Sequence, residues 1–357
     1  MMEGVMTAPK VVVFAPGDQR SYERFEEVGC DVTLGKASWA DPTGNTTEEI
    51  AAMAVDADAL VGTSIKGGRI DRSVMLASEQ LRIVAKYTVG VDEVDTDVAT
   101  ELGIIVTHAP TEANWGGVVE TTMQQMLTLL KKPRQRDEAM KHGTAWRTPA
   151  LTATHIGRRE DGYPGLTVGI VGLGRIGGRL AQMLAPWRVR MIAYDPYQPI
   201  DRFIHANVER VDLDTLLQES DVVTLHVILT PETHHMIGER ELGLMKPTAI
   251  LLNTSRGPVI DEKALVAALQ NETIAGAGLD VFEVEPLPMD SPLREMDERV
   301  LLSPHVAAHN HGAGIGPGIE WGTEDVLRAL RGEVPEHVFN KDVIPRWRER
   351  FEGRAVI

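Results

Sequence analysis

Short runs of consecutive apolar residues recur along the chain. They are separated by stretches whose apolar positions fall three and four apart. The runs Val11–Ala15, Asp31–Leu34, Ala59–Gly62, Leu81–Lys86 and Ile104–Thr107 predict strands, with a helix over Tyr22–Val28. A second series follows at Val168–Val171, Val189–Tyr194, Val222–Val227, Ala249–Asn253, Gly276–Asp280 and Val300–Leu302, with a helix over Glu262–Gln270. Strands buried on both faces read as unbroken apolar runs, and strands alternating with helices imply a parallel sheet covered on both sides. The pattern therefore predicts an α/β protein built from two such units.

Between the units, Val118, Val119, Met123, Met126, Leu127 and Leu130 keep helical spacing. They predict a long helix within Trp115–His142, broken or kinked at Pro133. The polar stretch Thr148–Gly165 reads as a loop. After Leu302 come Gly312, Gly314, Gly316 and Gly318 around Pro317, a composition that resists a helix and predicts a loop. A helix is expected only over Glu320–Leu330. One helix and a tail cannot form a domain, so the chain end should return to the first unit. The expected division is 1–113 with 311–357, and 114–310.

The second unit opens on a recognisable cofactor pattern. Its first strand runs into Gly172-x-Gly174-x-x-Gly177, a helical segment and a second strand follow, and Asp195 ends that strand 18 residues after Gly177. Gly172 permits the tight turn, Gly174 lets a pyrophosphate approach the backbone, and Gly177 lets the helix pack on the sheet. The helix N-terminus offers N–H groups and partial positive charge to the phosphates. A carboxylate at Asp195 suits the two free ribose hydroxyls of NAD and repels a 2′-phosphate. Pro196 and Tyr197 bring no arginine to hold such a phosphate, so NAD is expected over NADP.

Composition narrows the classes. At 357 residues the chain can hold two domains, and 43% hydrophobic with 25% charged residues is ordinary for a soluble globular protein. A net charge of −16 argues against nucleic acid. The single cysteine, Cys30, excludes internal disulfides and cysteine metal clusters. The opening MMEGVMTAPK has no basic leader region, and no apolar stretch approaches the 18 residues of a membrane span, so a cytoplasmic protein is expected.

Three segments of the second unit each place a reactive side chain just past a strand: Arg256 in LLNTSRG, Glu285 in GLDVFEVEP and His305 in LSPHVAA. Ligands of open α/β sheets bind at the carboxyl ends of strands, so the three should converge. Arginine offers a fixed fork for a carboxylate or carbonyl, histidine can carry a proton near neutral pH, and a carboxylate beside it favours the protonated ring. His305, His309, His311, His234 and His235 invite a metal reading, but no ligand spacing supports it and no metal is expected. His226, after a buried strand, reads as a packing residue and Glu120 as a helix residue.

The blocks GLGRIG, Asp195, LHVILTPET, NTSRGPVIDE, GLDVFEVEP and SPH, in this order, resemble the D-isomer-specific 2-hydroxyacid dehydrogenases over essentially the whole chain. The resemblance implies two Rossmann-like or flavodoxin-like domains with parallel sheets and a cleft between them. The discontinuous domain would bind substrate and the inserted one NAD. It implies hydride transfer between NAD(H) and C2 of a D-2-hydroxy acid or 2-keto acid. Arg256 would bind substrate, His305 would be the acid/base, and Glu285 its partner. Gly172, Gly174, Arg175, Ile176, Gly177, Asp195, Ile228, Thr254, Arg256 and Asp280 would line the cofactor, Asp280 holding the nicotinamide amide. The backbone of Val89, Gly90 and Val91 would take the substrate carboxylate, and a homodimer would form through the nucleotide domain.

Several positions depart from the family. Thr121 stands where a histidine is common, and Thr63 where phosphoglycerate-type members often carry arginine. Trp115 precedes two glycines at the start of the long helix, and it is expected, with the 312–318 loop, on the substrate side. No added regulatory domain is expected after the last helix. Glyoxylate, hydroxypyruvate and phosphoglycerate all remain open as substrates. Glu285 argues against formate oxidation, whose branch carries Gln there. A non-catalytic NAD-sensing scaffold of the co-repressor type, or an enzyme using NAD for a redox-neutral isomerisation, are the alternatives.

Overall fold

The computed structural model describes residues 8–37, 44–65, 67–143, 146–311 and 315–357. Residues 1–7, in the opening stretch read as carrying no leader, and the glycines Gly312 and Gly314 lie outside them. The chain divides into two compact units, Met1–Asn114 with Asn310–Ile357, and Trp115–His309.

The first unit holds five parallel strands: β1 (Lys10–Ala15), β2 (Asp31–Leu34), β3 (Ala59–Gly62), β4 (Ile83–Lys86) and β5 (Ile105–Thr107), in the order β2-β1-β3-β4-β5. The two-residue period of a strand sends alternate side chains to opposite faces. Val11 and Val13 therefore join one core with Phe25, Leu327 and Trp347, while Val12 and Phe14 join the other with Ile50, Leu60 and Val84. The chain end contributes to the first of these cores through the helices Gly316–Leu330 and Ile344–Phe351.

The second unit holds seven parallel strands: β6 (Thr167–Val171), β7 (Arg190–Tyr194), β8 (Glu209–Arg210), β9 (Val222–Leu225), β10 (Ile250–Asn253), β11 (Gly276–Leu279) and β12 (Val300–Leu302). Their order is β12-β11-β10-β9-β6-β7-β8. The chain turns one way from β6 to β7 and the other way to β9, so the topological switch point lies between β6 and β9, where open α/β sheets bind ligands. The helix Glu112–Lys131 packs Val119, Met123, Met126 and Leu130 into one core with Val168 and Ile170.

The structure corrects the sequence reading in places. The helix near the chain end begins at Gly316, not Glu320. Proline in a first turn needs no N–H partner, so Pro317 suits the start of the helix. A Cβ at Gly318 would stand 2.1 Å from the carbonyl oxygen of Tyr87, so this glycine permits close packing of the helix rather than a loop. β9 ends at Leu225, which leaves His226 and Val227 beyond the strand. The short strand β8 is not expected from the pattern, since two exposed polar residues carry no apolar signal. The long helix does break beside Pro133: Lys132 adopts φ +55° between Glu112–Lys131 and a second helix, Pro133–Lys141. Among the described residues no helix is long and apolar enough to cross a membrane.

Candidate active site

The carboxyl end of β6 delivers the glycine turn. Gly172 sits at φ +92°, and a Cβ on Gly177 would stand 2.1 Å from the carbonyl oxygen of Gly172, so the helix Arg175–Leu184 approaches the turn closely only because that Cβ is missing. A Cβ on Gly174 would meet nothing within 4 Å. That open space above a helix N-terminus fits a dinucleotide's pyrophosphate. Asp195, one residue past β7, is fixed rather than mobile. Its Oδ2 accepts from Leu173 N–H at 2.8 Å, and its Oδ1 accepts from Tyr197 and Gln198 N–H at 3.0 and 3.2 Å. Oδ1 is thus filled by two donors, while Oδ2 keeps one lone-pair site for a ribose hydroxyl. Across the switch point Ile228 is 71% exposed, an apolar surface such as a base can cover.

Arg202 is a residue that sequence reasoning misses. It donates to the carbonyls of Leu173 and Gly174 at 3.1 and 2.7 Å and so braces the glycine turn from below. No local signal marks it, since it sits on a helix seven residues past Asp195. Trp115, expected on the substrate side, lines a cavity of about 270 Å³ with Arg175, Arg179, Gln182 and Arg202.

The ends of β10, β11 and β12 bring Arg256, Glu285 and His305 into one neighbourhood. Nδ1 of His305 lies 2.7 Å from Oε2 of Glu285, and Oε1 of Glu285 accepts from Phe282 N–H at 3.0 Å. Burial alone would raise the Glu285 carboxyl. The His305 hydrogen bond and charge, the Phe282 N–H and the Arg256 charge outweigh it and hold the carboxyl below its ordinary value. Arg256 donates to the carbonyl of Ser255 at 2.7 Å. The two loops meet at Gly257, where a Cβ would fall 1.9 Å from the carbonyl carbon and oxygen of Phe282.

His305 itself has φ +54°, a conformation that non-glycine residues rarely adopt. Its N–H donates to the carbonyl of Asp280 at 2.7 Å. The buried Asp280 carboxylate accepts from Ser303 Oγ at 2.5 Å, Val306 N–H at 3.1 Å and Ala307 N–H at 2.9 Å. Asp280 thus frames the histidine loop, and burial keeps its carboxyl raised despite these donors. Thr121 Oγ1 adds a bond to the carbonyl of Ala307 at 3.1 Å. Thr254 shares a 3.0 Å hydrogen bond with Thr122. His226 is half-buried, and desolvation pushes its ring down to about 3, so it stays neutral. Among the described residues no group of three or more His, Cys, Asp or Glu is placed to hold a metal ion.

Val89, Gly90 and Val91 follow β4 in the first unit. Their carbonyls accept from His108 Nδ1 at 3.1 Å, Thr88 Oγ1 at 3.3 Å and Val94 N–H at 2.8 Å. With the carbonyls taken up inside the unit, the N–H groups are what this turn can offer a ligand.

Comparison with known proteins agrees with the parallel-sheet α/β fold. Residues 123–307 match the NAD-binding domain of the D-isomer-specific 2-hydroxyacid dehydrogenases. The chain is 42% identical over 340 residues to a glyoxylate reductase of Korarchaeum cryptofilum, covering 94% of this chain and 97% of that one. A crystal structure of a Thermus thermophilus protein superposes with a TM-score of 0.77 at 31% identity, over 92% of this chain and 99% of the other. The NADPH-dependent glyoxylate/hydroxypyruvate reductase of Sinorhizobium meliloti, solved with NADP and malonate, gives a TM-score of 0.76 at 26% identity, over 94% and 98%. The chain is an NAD-binding oxidoreductase and belongs to the D-isomer-specific 2-hydroxyacid dehydrogenase family.

Proposed function

We propose that this enzyme reduces a small 2-keto acid of the glyoxylate or hydroxypyruvate class to its D-2-hydroxy acid, with NADH preferred over NADPH. The observation that carries the reading is the Glu285–His305 pair at 2.7 Å, with the Arg256 charge beside it and both loops at the carboxyl end of the sheet. The substrate class rests on the glyoxylate and hydroxypyruvate named for the relatives.

Bound at the glycine turn, the dinucleotide supplies the hydride. The chain's residues do the rest. Arg256 grips the keto acid and orients its carbonyl. His305, held by Glu285, donates a proton to the developing alkoxide and takes it back in oxidation. The N–H groups of Val89, Gly90 and Val91 hold the substrate carboxylate. Gly172, Gly174, Arg175, Ile176 and Gly177 cradle the pyrophosphate, Asp195 takes the ribose hydroxyls, and Ile228, Thr254 and Asp280 border the base and nicotinamide ends. The acid at Asp195, with Arg202 committed to two carbonyls, supports NADH as the preferred partner even though a relative uses NADPH.

The test is a panel of glyoxylate, hydroxypyruvate, pyruvate and phosphohydroxypyruvate with NADH, followed by absorbance loss. Turnover confined to the phosphorylated substrate would overturn the substrate class. The same reading includes a homodimer through the second unit, supported by a groove of about 500 Å³ that Met123, Leu127 and Met183 line. Light scattering that returns a monomer mass at micromolar concentration would reject it.

A further inference from the structure

Lys86, the last residue of β4, is fully buried, and no step above uses it. Its Nζ donates to the carbonyl of Thr63 at 2.6 Å and to both carboxylate oxygens of Glu93 at 3.2 Å. It also stands 5.6 Å from the centre of the Phe14 ring. Glu93 is in turn tied to the loop after β3: its Oε1 accepts from Ile65 N–H at 3.0 Å, and its carbonyl accepts from Ile70 N–H at 2.8 Å. Thr63 is itself fixed, with its N–H and Oγ1 both donating to the carbonyl of Ala15. One ammonium group therefore joins the ends of β3 and β4 to the residue that closes the turn Thr88–Asp92.

A buried ion pair is a poor device for stability alone, because desolvation of the two charges offsets most of their attraction. What such a pair does provide is one fixed geometry. Here the fixed object is the turn after β4. Its far end is pinned by Lys86 through Glu93, and its near end by His108, whose ring donates to the carbonyl of Val89 at 3.1 Å. The turn between these anchors is the one with N–H groups on offer.

We propose that Lys86 and Glu93 are positioning residues that hold the Val89–Val91 turn in register for a substrate carboxylate. They act through the backbone and touch no substrate. The inference rests on the reading that this turn takes the carboxylate. A turn freed at one end samples positions about an ångström apart, and misplacement on that scale costs up to about a hundredfold in rate. The loss should fall on substrates that carry a carboxylate and spare those that lack one.

The experiment compares kcat/KM for pyruvate with that for methyl pyruvate, which has the reacting carbonyl but no carboxylate. It is run on the wild type and on E93Q, K86M and the double variant K86M/E93Q. The double variant leaves no unpaired buried charge, and the amide oxygen introduced by E93Q can still accept from Ile65 N–H, so it stays folded where K86M alone fails. We expect the acid-to-ester ratio to fall at least about tenfold in E93Q and in the double variant. NADH affinity, read by nucleotide fluorescence, should stay within about twofold, since the change lies outside the nucleotide-binding unit. Equal losses for acid and ester, or an unchanged ratio in folded variants, would overturn the proposal while leaving the carboxylate reading intact. A wild type with no preference for the acid would overturn that reading, and the proposal with it.

Discussion

Replacing Glu285 by Gln removes one charge and keeps the local shape. In the native site Oε2 lies 2.7 Å from Nδ1 of His305 while Oε1 accepts from Phe282 N–H. Gln can keep the Phe282 bond through its own Oε1, so the turn should survive. What is lost is the attraction between a carboxylate and a protonated ring. Two unit charges about 4 Å apart attract by about 1 kcal/mol in water and about 4 kcal/mol at an effective dielectric of about 20. The two side chains are 47% and 35% exposed, so solvent screening keeps the value near the low end, about 1.5 kcal/mol. The sign follows from the direction of reaction. Keto-acid reduction needs the protonated ring, and the carboxylate favours it, so E285Q should lose activity at lower pH than the wild type. The assay is kcat/KM for glyoxylate reduction across pH, and its alkaline limb should move down. The pair also contributes to stability. The Glu285 carboxyl is depressed in the folded state, so its contribution is present above the ordinary carboxylate range and lost as pH falls through the depressed value. Wild type and E285Q should therefore converge in thermal stability in acid. An alkaline limb that stays in place would refute the pairing as a source of proton affinity.

Three further outcomes are expected. H305A should lower turnover by roughly 10²–10⁴-fold with NADH affinity nearly unchanged, and turnover preserved within about twofold would remove His305 from the role of acid. D195A should narrow the NADH-over-NADPH preference by at least about tenfold in kcat/KM, about 1.4 kcal/mol, and a wild type that uses both cofactors equally would defeat the ribose reading. G257A should push apart the loops carrying Arg256 and Glu285, since its Cβ would fall 1.9 Å from the Phe282 carbonyl. A loss of about 1–3 kcal/mol in unfolding free energy together with impaired kcat/KM is expected, and an unaltered variant would show that the loops do not depend on that contact.

Most strands were legible because their apolar runs are local. β2 and β12 have the ends that the pattern predicts, Asp31–Leu34 and Val300–Leu302. The parts that were not legible depend on partners distant in the chain. Gly316 and Gly318 look like loop residues when their composition is read without Tyr87, whose carbonyl comes to lie against Gly318 in the folded unit. The bonds that frame the His305 loop come from Asp280, Ser303 and Thr121; in the sequence Asp280 points to the nicotinamide, Ser303 is only part of the SPH block and Thr121 only a departure from the family, so none announces this frame. Arg202 and Lys86 read as ordinary charged residues; only the fold brings one under the glycine turn and closes the other inside the first unit.

The central claim is net hydride transfer to C2 of a 2-keto acid. It is tested most directly with NADH dideuterated at C4 and glyoxylate or pyruvate, the products being resolved by mass spectrometry and chiral chromatography. The account predicts one deuterium at C2 of the hydroxy acid for each NADH consumed, and pyruvate converted to D-lactate alone. Deuterium that stays on the nicotinamide while product forms would show a redox-neutral reaction. Binding of NADH with no product from any 2-keto acid would show a nucleotide-sensing scaffold, and either result would contradict the claim.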